Sequence, residues 1–330
     1  MQKVVLGTGE VTAEIWSRGA AVNDLRMPDR AGRVASVILG YDCDEDRLAG
    51  SGYLGEICGP FANRIAAGGY VIDSVTYTPG LNDNGSATLH GGQHGWSTQD
   101  WTVVEADENH VSLHLDWSDP DGGFPGPIHA DVEYRLDGWS LTHIVSATVD
   151  APTVLNIVCH PYFNLSGTGS AIDDHELTVR ASAYLPIDQA SIPLAQAPKP
   201  VRGSPFDFTS VRLIGPALSD QDAQVRDHAG IDHAFVLDGP GSRDAARLRH
   251  PVTGRTVDIR TDYPAMQVYT GQFLSETAVT HPVGAGTVHT GIALETEEYP
   301  DSPRRPDFPS TLVRPGQVYS RTTTWLFSIH

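Results

Sequence analysis

The chain has 330 residues, 40% of them hydrophobic and 19% charged, a composition typical of a globular protein that buries a sizeable core. Its net charge is −19 and its only lysines are Lys3 and Lys199, which argues against nucleic acid as a partner because phosphates require a clustered basic surface. The same balance weakens the case for membrane surfaces and strongly anionic substrates, so we expect a neutral small-molecule ligand.

The N-terminal segment MQKVVLGTGEVTAEIW lacks a basic region followed by a long apolar core, so we expect no signal peptide. No run approaches the length of a membrane span. The three cysteines, Cys43, Cys58 and Cys159, are odd in number and lack CxxC spacing, which indicates neither a disulfide framework nor a zinc site. We therefore expect free thiols and a cytoplasmic location.

Short extended segments recur along the chain, alternating in polarity or rich in β-branched residues and bounded by Gly, Pro, Asp or Asn. In chain order they are EVTAEIWS, YVIDSVTYTPG, WTVVEAD, HVSLHLDWS, ADVEYRLD, SLTHIVSATVD, HELTVRASAYLPI, TVDIRTD and AMQVYTG. Convincing amphipathic helices are missing: the best candidate, LSDQDAQVRDHAG at 218–230, is short and polar, and 197–208 is predicted to be a long loop. We find no repeat and no linker, so the pattern predicts one all-β, antiparallel domain over residues 1–330.

Two glycine-rich turns carry polar groups. GPFANRIAAGGY offers Asn63 and Arg64, and ATLHGGQHGW offers His90 and His94. The spacing of the two histidines matches a metal pair on one helical turn, but the two glycines between them disfavour that helix, so we do not predict zinc. The acidic run YDCDEDR at 41–47 lacks the spaced ligands of a calcium loop and is predicted to be a solvated turn.

The segment CHPYFNLSG at 159–167 places a histidine directly before a proline, which favours extended backbone at His160. If the segment is one strand, His160, Tyr162 and Asn164 share a face opposite apolar residues. We expect that face to be the wall of a polar cleft, with the imidazole projecting into it.

Two later segments also place polar and apolar residues on opposite faces of a strand. In GIALETEEYPDSP, Glu295 and Glu297 share a face with small residues, and in YPAMQVYTG, Gln267 lies with Tyr263 and Tyr269. Taken singly, each of these polar residues has an ordinary structural explanation, as a surface charge, a turn cap or a buried hydrogen-bonding group. The functional interpretation depends on their occurring together.

Several stretches resemble, in order, the aldose 1-epimerases or galactose mutarotases. They are GPFANRIAAGGY, LHGG, HPYFNLSG, IDHAF, QVYTGQFL, LETEEYPDSPRRPDFPS and LVRPGQVYSRTTTWLFS. The resemblance extends from about residue 59 to the C-terminus, and the opening strands are similar as well. It implies a large antiparallel β-sandwich of the galactose mutarotase type with few short helices, a sugar cleft, and no metal or organic cofactor.

Carried over residue by residue, the resemblance assigns the general base to Glu295 and the general acid to His160. The sugar-binding residues that it implies are Asn63, Arg64, His90, Asp232 and Gln267. The chain departs from the common family pattern L-E-T-Q, because Glu297 replaces the glutamine. Two carboxylates on one strand face repel each other, so we expect the pKa of one of them to be raised unless a cation such as Arg64 intervenes.

Interconversion of α and β anomers opens a hemiacetal and re-closes it on the other face of C1. A base must take the C1 hydroxyl proton while an acid protonates the ring oxygen, and the roles reverse on closure. We infer that Arg64 and His90 stabilise the developing alkoxide, and that Asp232, Gln267 and Asn63 hold other hydroxyls. Trp96, Tyr162 or Phe163 would supply an apolar floor for the sugar.

Two alternatives remain open from the sequence. A hexose-6-phosphate 1-epimerase would gather arginines at the cleft rim, where Arg304 and Arg305 are candidates. A non-catalytic sugar-binding protein on the same fold would not need a matched acid and base. The preferred aldose and the oligomeric state are not readable from the sequence.

Overall fold

The computed structural model describes residues 1–50, 52–274 and 287–330, and most regular structure in these ranges is antiparallel β-strand. The first strands are β1 (Lys3–Leu6), β2 (Thr12–Trp16), β3 (Ala21–Pro28), β4 (Val34–Ser36), β5 (Ile57–Cys58), β6 (Arg64–Ala66), β7 (Tyr70–Ile72), β8 (Val75–Tyr77), β9 (Ala87–Leu89), β10 (Thr102–Ala106), β11 (His110–Trp117), β12 (Ile128–Asp137) and β13 (Ser140–Val149). The rest are β14 (Thr153–Val154), β15 (Val158–Cys159), β16 (Tyr162–Phe163), β17 (Glu176–Val179), β18 (Ala181–Tyr184), β19 (Lys199–Pro200), β20 (Arg212–Leu213), β21 (Asp232–Leu237), β22 (Arg243–Arg249), β23 (Arg255–Thr261), β24 (Ala265–Tyr269), β25 (Ile292–Glu297), β26 (Leu312–Val313) and β27 (Tyr319–Ile329).

Helices are few and short in the described part of the chain. They are α1 (Asp44–Ala49), α2 (Ile214–Leu218) and α3 (Ala223–Arg226), with 3-10 turns at Trp96–Thr98, Ile172–Asp174 and Ser302–Arg304. None of the described helices is long and apolar enough to span a bilayer. The all-β prediction with few short helices is therefore confirmed.

Three sheets dominate the architecture. A nine-stranded sheet has the order β10-β11-β12-β13-β27-β23-β22-β17-β20, a six-stranded sheet has the order β16-β25-β24-β21-β18-β19, and a four-stranded sheet runs β1-β2-β3-β4. The large sheets pack through one apolar core, where the Phe163 and Trp325 rings meet edge to face with centroids 5.5 Å apart. Tyr134 Oη donates to the carbonyl of Ala20 at 2.7 Å and so ties the nine-stranded sheet to the start of β3.

The strands form where the sequence alternates. In β12, Ile128, Ala130, Val132, Tyr134 and Leu136 are buried while the intervening polar residues face outward. The predicted segment YVIDSVTYTPG is a hairpin rather than one strand, because Asp73 and Ser74 both have positive φ and form the two-residue turn between β7 and β8. The segment HELTVRASAYLPI likewise divides into β17 and β18.

The helix candidate at 218–230 contains the short α3, and α2 ends at its first residue, Leu218. Two local predictions are wrong. The acidic run at 41–47 enters α1, whose Arg47 is buried against Glu56 rather than solvated. The segment at 159–165 is not one strand, because pairing stops at His160–Pro161 and the two halves join different partners, β5 and β25.

Candidate active site

A cleft of about 830 Å³ opens on the face of the six-stranded sheet that points away from the large core. Its lining combines strand residues with turns contributed by the first third of the chain. All seven residues that the sequence singled out line this cleft: Asn63, Arg64, His90, His160, Asp232, Gln267 and Glu295.

Strand register places three of these side chains side by side. Gln267 of β24 pairs with Glu295 of β25, and Asp232 of β21 pairs with Tyr269 of β24. Because side chains alternate along a strand, Leu294 and Val268 enter the core while Glu295, Gln267 and Tyr269 face the cleft. The two-residue periodicity predicted this arrangement for both strands.

His160 occupies the break between β15 and β16, where its backbone is held on both sides. Its N–H donates to the carbonyl of Glu56 at 3.0 Å, and its carbonyl accepts from Gly55 at 2.9 Å. The imidazole enters the cleft as expected, and its Nε2 lies 3.3 Å from Oε1 of Glu295. Both side chains are almost completely buried, with 4% and 3% of their surface exposed.

Burial shifts the pKa values of His160 and Glu295 in opposite directions. Loss of hydration lowers the pKa of His160 to about 4, and a hydrogen bond with its own backbone opposes only part of that shift. Burial raises the pKa of Glu295 well above its usual value, the Asp232 carboxylate adds to that rise, and Arg64 works against it. The pair therefore favours sharing a single proton.

Arg64 and Asp232 form the charged side of the cleft. Arg64 Nε donates to Asp83 at 2.7 Å, and its Nη1 lies 3.7 Å from Asp232 Oδ2. Gln267 Nε2 donates to the other oxygen of Asp232 at 2.6 Å. Burial lowers the pKa of the Arg64 guanidinium, but the two carboxylates outweigh burial and hold that pKa above its usual value, so Arg64 is a fixed cation beside Glu295.

Asn63 and His90 meet at the end of the short β6–β9 ladder. Both have positive φ, 59° and 51°, a conformation that Asn tolerates better than most residues. The Asn63 N–H donates to His90 Nδ1 at 3.2 Å, and burial lowers the pKa of His90 well below its usual value. His90 is therefore neutral with its proton on Nε2, which leaves an N–H donor.

Glu297 is fully buried beside the cleft, with 0% of its surface exposed. Asn63 Nδ2 donates to both of its carboxyl oxygens at 3.3 Å. Its pKa is raised well above the usual value, mainly by burial and then by the charge of Glu295. The expected rise is thus present in both glutamates, with burial rather than mutual repulsion as the larger cause.

Two groups of donors within residues 1–50, 52–274 and 287–330 come close enough to be tested as metal sites. In each, one donor atom per residue lies within 4.8 Å of the others: His90, His160 and Glu295 in the cleft, and Asp174, His175 and His250 elsewhere. In the second group, the Leu165 N–H donates to His175 Nε2 at 3.0 Å. One nitrogen of His90 and one of His175 therefore accept a backbone N–H, so the other must carry the proton and cannot ligate a metal as neutral imidazole. Neither donor set fits a metal ion.

Sequence reasoning missed Tyr53, whose ring lies 4.4 Å from that of His90 and 5.9 Å from that of His160, measured between centroids. Gly52 and Gly55 nearby were the only local signal in the sequence, and in the structure Tyr53 has a positive φ of 55°. Tyr162 lines the cleft as expected.

Five residues that the sequence associated with the cleft lie elsewhere. Trp96 and Phe163 belong to the core. Asn164 donates to the carbonyls of Ser170 and Thr290, and Tyr263 to that of Ile157. His94 is half exposed, 3.9 Å from Asp121.

Comparison with known proteins points to a single family. The sequence profile of the family described as Aldose 1-epimerase matches residues 2–325. Galactose mutarotase from Bos taurus is 37% identical over 332 residues, covering 100% of this chain and 94% of its own length. Aldose 1-epimerase from Escherichia coli K12 is 37% identical over 329 residues, covering 96% and 91%.

Solved structures agree in fold. The GalM/aldose epimerase homologue from C. elegans superimposes with a TM-score of 0.90 at 25% identity, covering 99% of both chains. Galactose 1-epimerase from Lactobacillus acidophilus gives a TM-score of 0.84 at 27% identity, covering 98% of this chain and 92% of its own.

Proposed function

The chain belongs to the aldose 1-epimerase family, and we propose that it interconverts the α and β anomers of a free aldose such as galactose or glucose, with Glu295 as general base and His160 as general acid. The isomerase class follows from the family match and the full-length relatives. The assignment of roles depends chiefly on one observation, the buried 3.3 Å approach of His160 Nε2 to Glu295 Oε1 inside the cleft.

Ring opening needs two proton transfers at neighbouring oxygens. Glu295 takes the proton of the C1 hydroxyl, the C1–O5 bond breaks as the C1–O1 carbonyl forms, and His160 protonates O5. Rotation of the open-chain aldehyde about C1–C2 presents its other face. His160 then removes the O5 proton while Glu295 returns a proton to O1, which closes the opposite anomer.

The pKa shifts of His160 and Glu295 bear on which of the two holds the proton at each stage of this cycle. The pair holds one proton throughout, on His160 with the cyclic sugar and on Glu295 with the open chain. Burial disfavours the charged form of both groups, so it makes His160 a readier donor and Glu295 a readier acceptor. The ring-opened state therefore matches the neutral arrangement of the pair, whereas the cyclic sugar requires the charged arrangement, in which the Arg64 cation helps to keep Glu295 ionised.

The other cleft residues hold and polarise the sugar. The Arg64 cation and the Nε2–H of neutral His90 are donors suited to an oxygen that gains negative charge during opening. Asp232 is oriented by Gln267 on one oxygen and by Arg64 on the other, so it can accept hydrogen bonds from adjacent hydroxyls. Asn63 and Gln267 complete the polar lining.

The positions of Arg304 and Arg305 argue against the hexose-6-phosphate 1-epimerase alternative. Arg304 donates to the carbonyl of Ala67, and Arg305 is paired with Asp307 at 2.7 Å. Neither lines the cleft, and Arg64 is already committed to Asp83 and Asp232. The non-catalytic alternative is disfavoured by the buried acid and base, which sugar binding alone does not require.

We also propose a cytoplasmic location, which suits three free thiols.

Polarimetry tests the activity directly. Freshly dissolved α-D-galactose and α-D-glucose should lose optical rotation faster with the protein than in buffer, and an excess of galactose 6-phosphate should not compete. A decay equal to buffer for both sugars would contradict the proposal, and strong competition by the phosphate would favour the phosphosugar enzyme.

A further inference from the structure

Glu297 stands out among the buried acids of the described residues because no cation faces it. Buried Glu56 is paired with Arg47, and Glu298 with Arg321. Its neighbours are two side-chain amides: Asn63, which donates to both carboxyl oxygens, and Asn156, whose hydrogen bonding also favours the charged form. An unpaired buried carboxylate is costly, so a group in this position takes up a proton instead.

We propose that Glu297 is a positioning residue, held as a neutral carboxylic acid, that anchors the Asn63 side chain behind the cleft. The positioning role rests on the function proposed above, because it concerns the residues that polarise the sugar. The neutral state rests on complete burial and on the neighbouring carboxylates of Glu295 and Asp232, which outweigh the two amide donors that favour the charged form.

Asn63 links Glu297 to two cleft residues, Arg64 and His90. Its Nδ2 donates to Glu297, its Oδ1 accepts the N–H of Arg64 at 2.8 Å, and its own N–H donates to His90 Nδ1 at 3.2 Å. A side chain fixed at one end therefore sets the backbone orientation that keeps the His90 proton on Nε2. Loss of the Glu297 acceptor would release Asn63 and weaken this arrangement.

A neutral acid has the shape and the carbonyl acceptor of the glutamine that the family commonly places here, but it can lose its proton. The titratable groups that face it are both acids, Glu295 on its own strand and Asp232 on β21. Its cross-strand partner on β24 is Ala265, which carries no charge. Ionisation of Glu297 would therefore place a further negative charge among carboxylates.

Stability as a function of pH tests the neutral state without reference to activity. The unfolded chain releases the Glu297 proton above a pH of roughly 4.3, whereas the folded protein keeps it up to the raised pKa. Between these values folding takes up a proton, so wild-type stability falls as pH rises. Glu297→Gln and Glu297→Leu both lack this group, so the ratio of each variant's folding equilibrium constant to that of wild type should grow about tenfold per pH unit across the window.

Urea denaturation of wild type, both variants and the control Glu105→Gln at several pH values supplies these ratios. Glu105 is an exposed strand residue and undergoes the same chemical change. Ratios that stay flat with pH, or that fall as pH rises, would overturn the neutral state. Because only the slope matters, a lower absolute stability of the leucine variant does not affect the result.

Enzyme kinetics test the positioning role. Glu297→Gln should keep kcat/KM within about threefold of wild type near neutral pH, since the amide retains the carbonyl acceptor. Glu297→Leu should lose about tenfold or more, mainly in kcat, because Asn63 is left without its acceptor. Equal activity of both variants would overturn the role. A wild type that lacks mutarotase activity would instead refute the proposed function, while the stability slopes would still decide the protonation state.

Discussion

Nε2 of His160 lies 3.3 Å from Oε1 of Glu295, although one residue sits in a break between two short strands and the other in the middle of β25. Both side chains are excluded from water, and Arg64 and Asp232 supply opposite charges to their surroundings. A buried acid and base in contact, rather than two carboxylates, suit a reversible proton exchange with a sugar.

Replacing His160 by Gln should lower kcat by about 10²- to 10⁴-fold, the usual contribution of a general acid or base. His90→Gln should have a smaller effect on kcat, because His90 is assigned a hydrogen bond to the sugar rather than a proton transfer, and the glutamine amide can still donate one. Polarimetry of the two variants on the same sugar checks this ranking. Equal losses for both variants would contradict the assignment of the acid to His160.

The pH dependence of kcat/KM should be bell-shaped, because the pair works only while it holds one proton. Activity should fall as pH drops through the lowered pKa of His160, about 4, because His160 and Glu295 then both carry a proton and Glu295 cannot act as a base. It should fall again as pH rises through the raised pKa of Glu295, when the pair loses its last proton. A profile that is flat from pH 3 upward would contradict this account.

Asp232→Asn should raise KM by about 10- to 100-fold with a smaller change in kcat, since hydrogen bonds to a charged group contribute about 1.5–3 kcal/mol. The variant keeps the side-chain shape and an oxygen that can accept from Gln267. Initial rates over a range of sugar concentrations separate the two constants. A loss confined to kcat would assign Asp232 to proton transfer instead.

The buried Arg47–Glu56 pair should matter for stability. Arg47 also donates to Asn23 and to the Leu54 carbonyl, and the Glu56 carbonyl accepts the His160 N–H. Arg47→Met should cost about 3–5 kcal/mol in the free energy of unfolding, because it leaves a buried charge unpaired.

The matched control for this pair is Arg18→Gln, which breaks the more exposed pair with Asp100. It should cost no more than about 1 kcal/mol. Urea denaturation compares the two variants. Equal costs would mean that the buried pair contributes no more than a surface pair.

Two-residue periodicity predicted the site residues on β24 and β25 because those strands are regular and have one apolar face. It failed at 159–165, where the chain changes partner strands at His160–Pro161. Asn164 therefore leaves the cleft wall and donates to two backbone carbonyls. A change of pairing partner depends on distant strands and leaves no local pattern.

The remaining misses come from contacts between segments that no local pattern records. The acidic composition of 41–47 indicated solvent exposure, but Arg47 in that run meets Glu56 from another segment. Tyr53 lies between glycines with no alternation around it, and only its packing against two imidazoles shows its place in the cleft. The seven cleft residues themselves were predicted by combining short motifs with a family resemblance, since each motif alone has an ordinary structural explanation.

The most direct measurement is polarimetry of wild type and Glu295→Gln on freshly dissolved α-D-galactose, with folding of the variant checked by urea denaturation. The account predicts rapid decay of rotation with wild type and a rate about 10²- to 10⁴-fold lower with the folded variant, because the amide cannot take the C1 hydroxyl proton. A folded Glu295→Gln variant that keeps wild-type activity would contradict the central claim that Glu295 is the base.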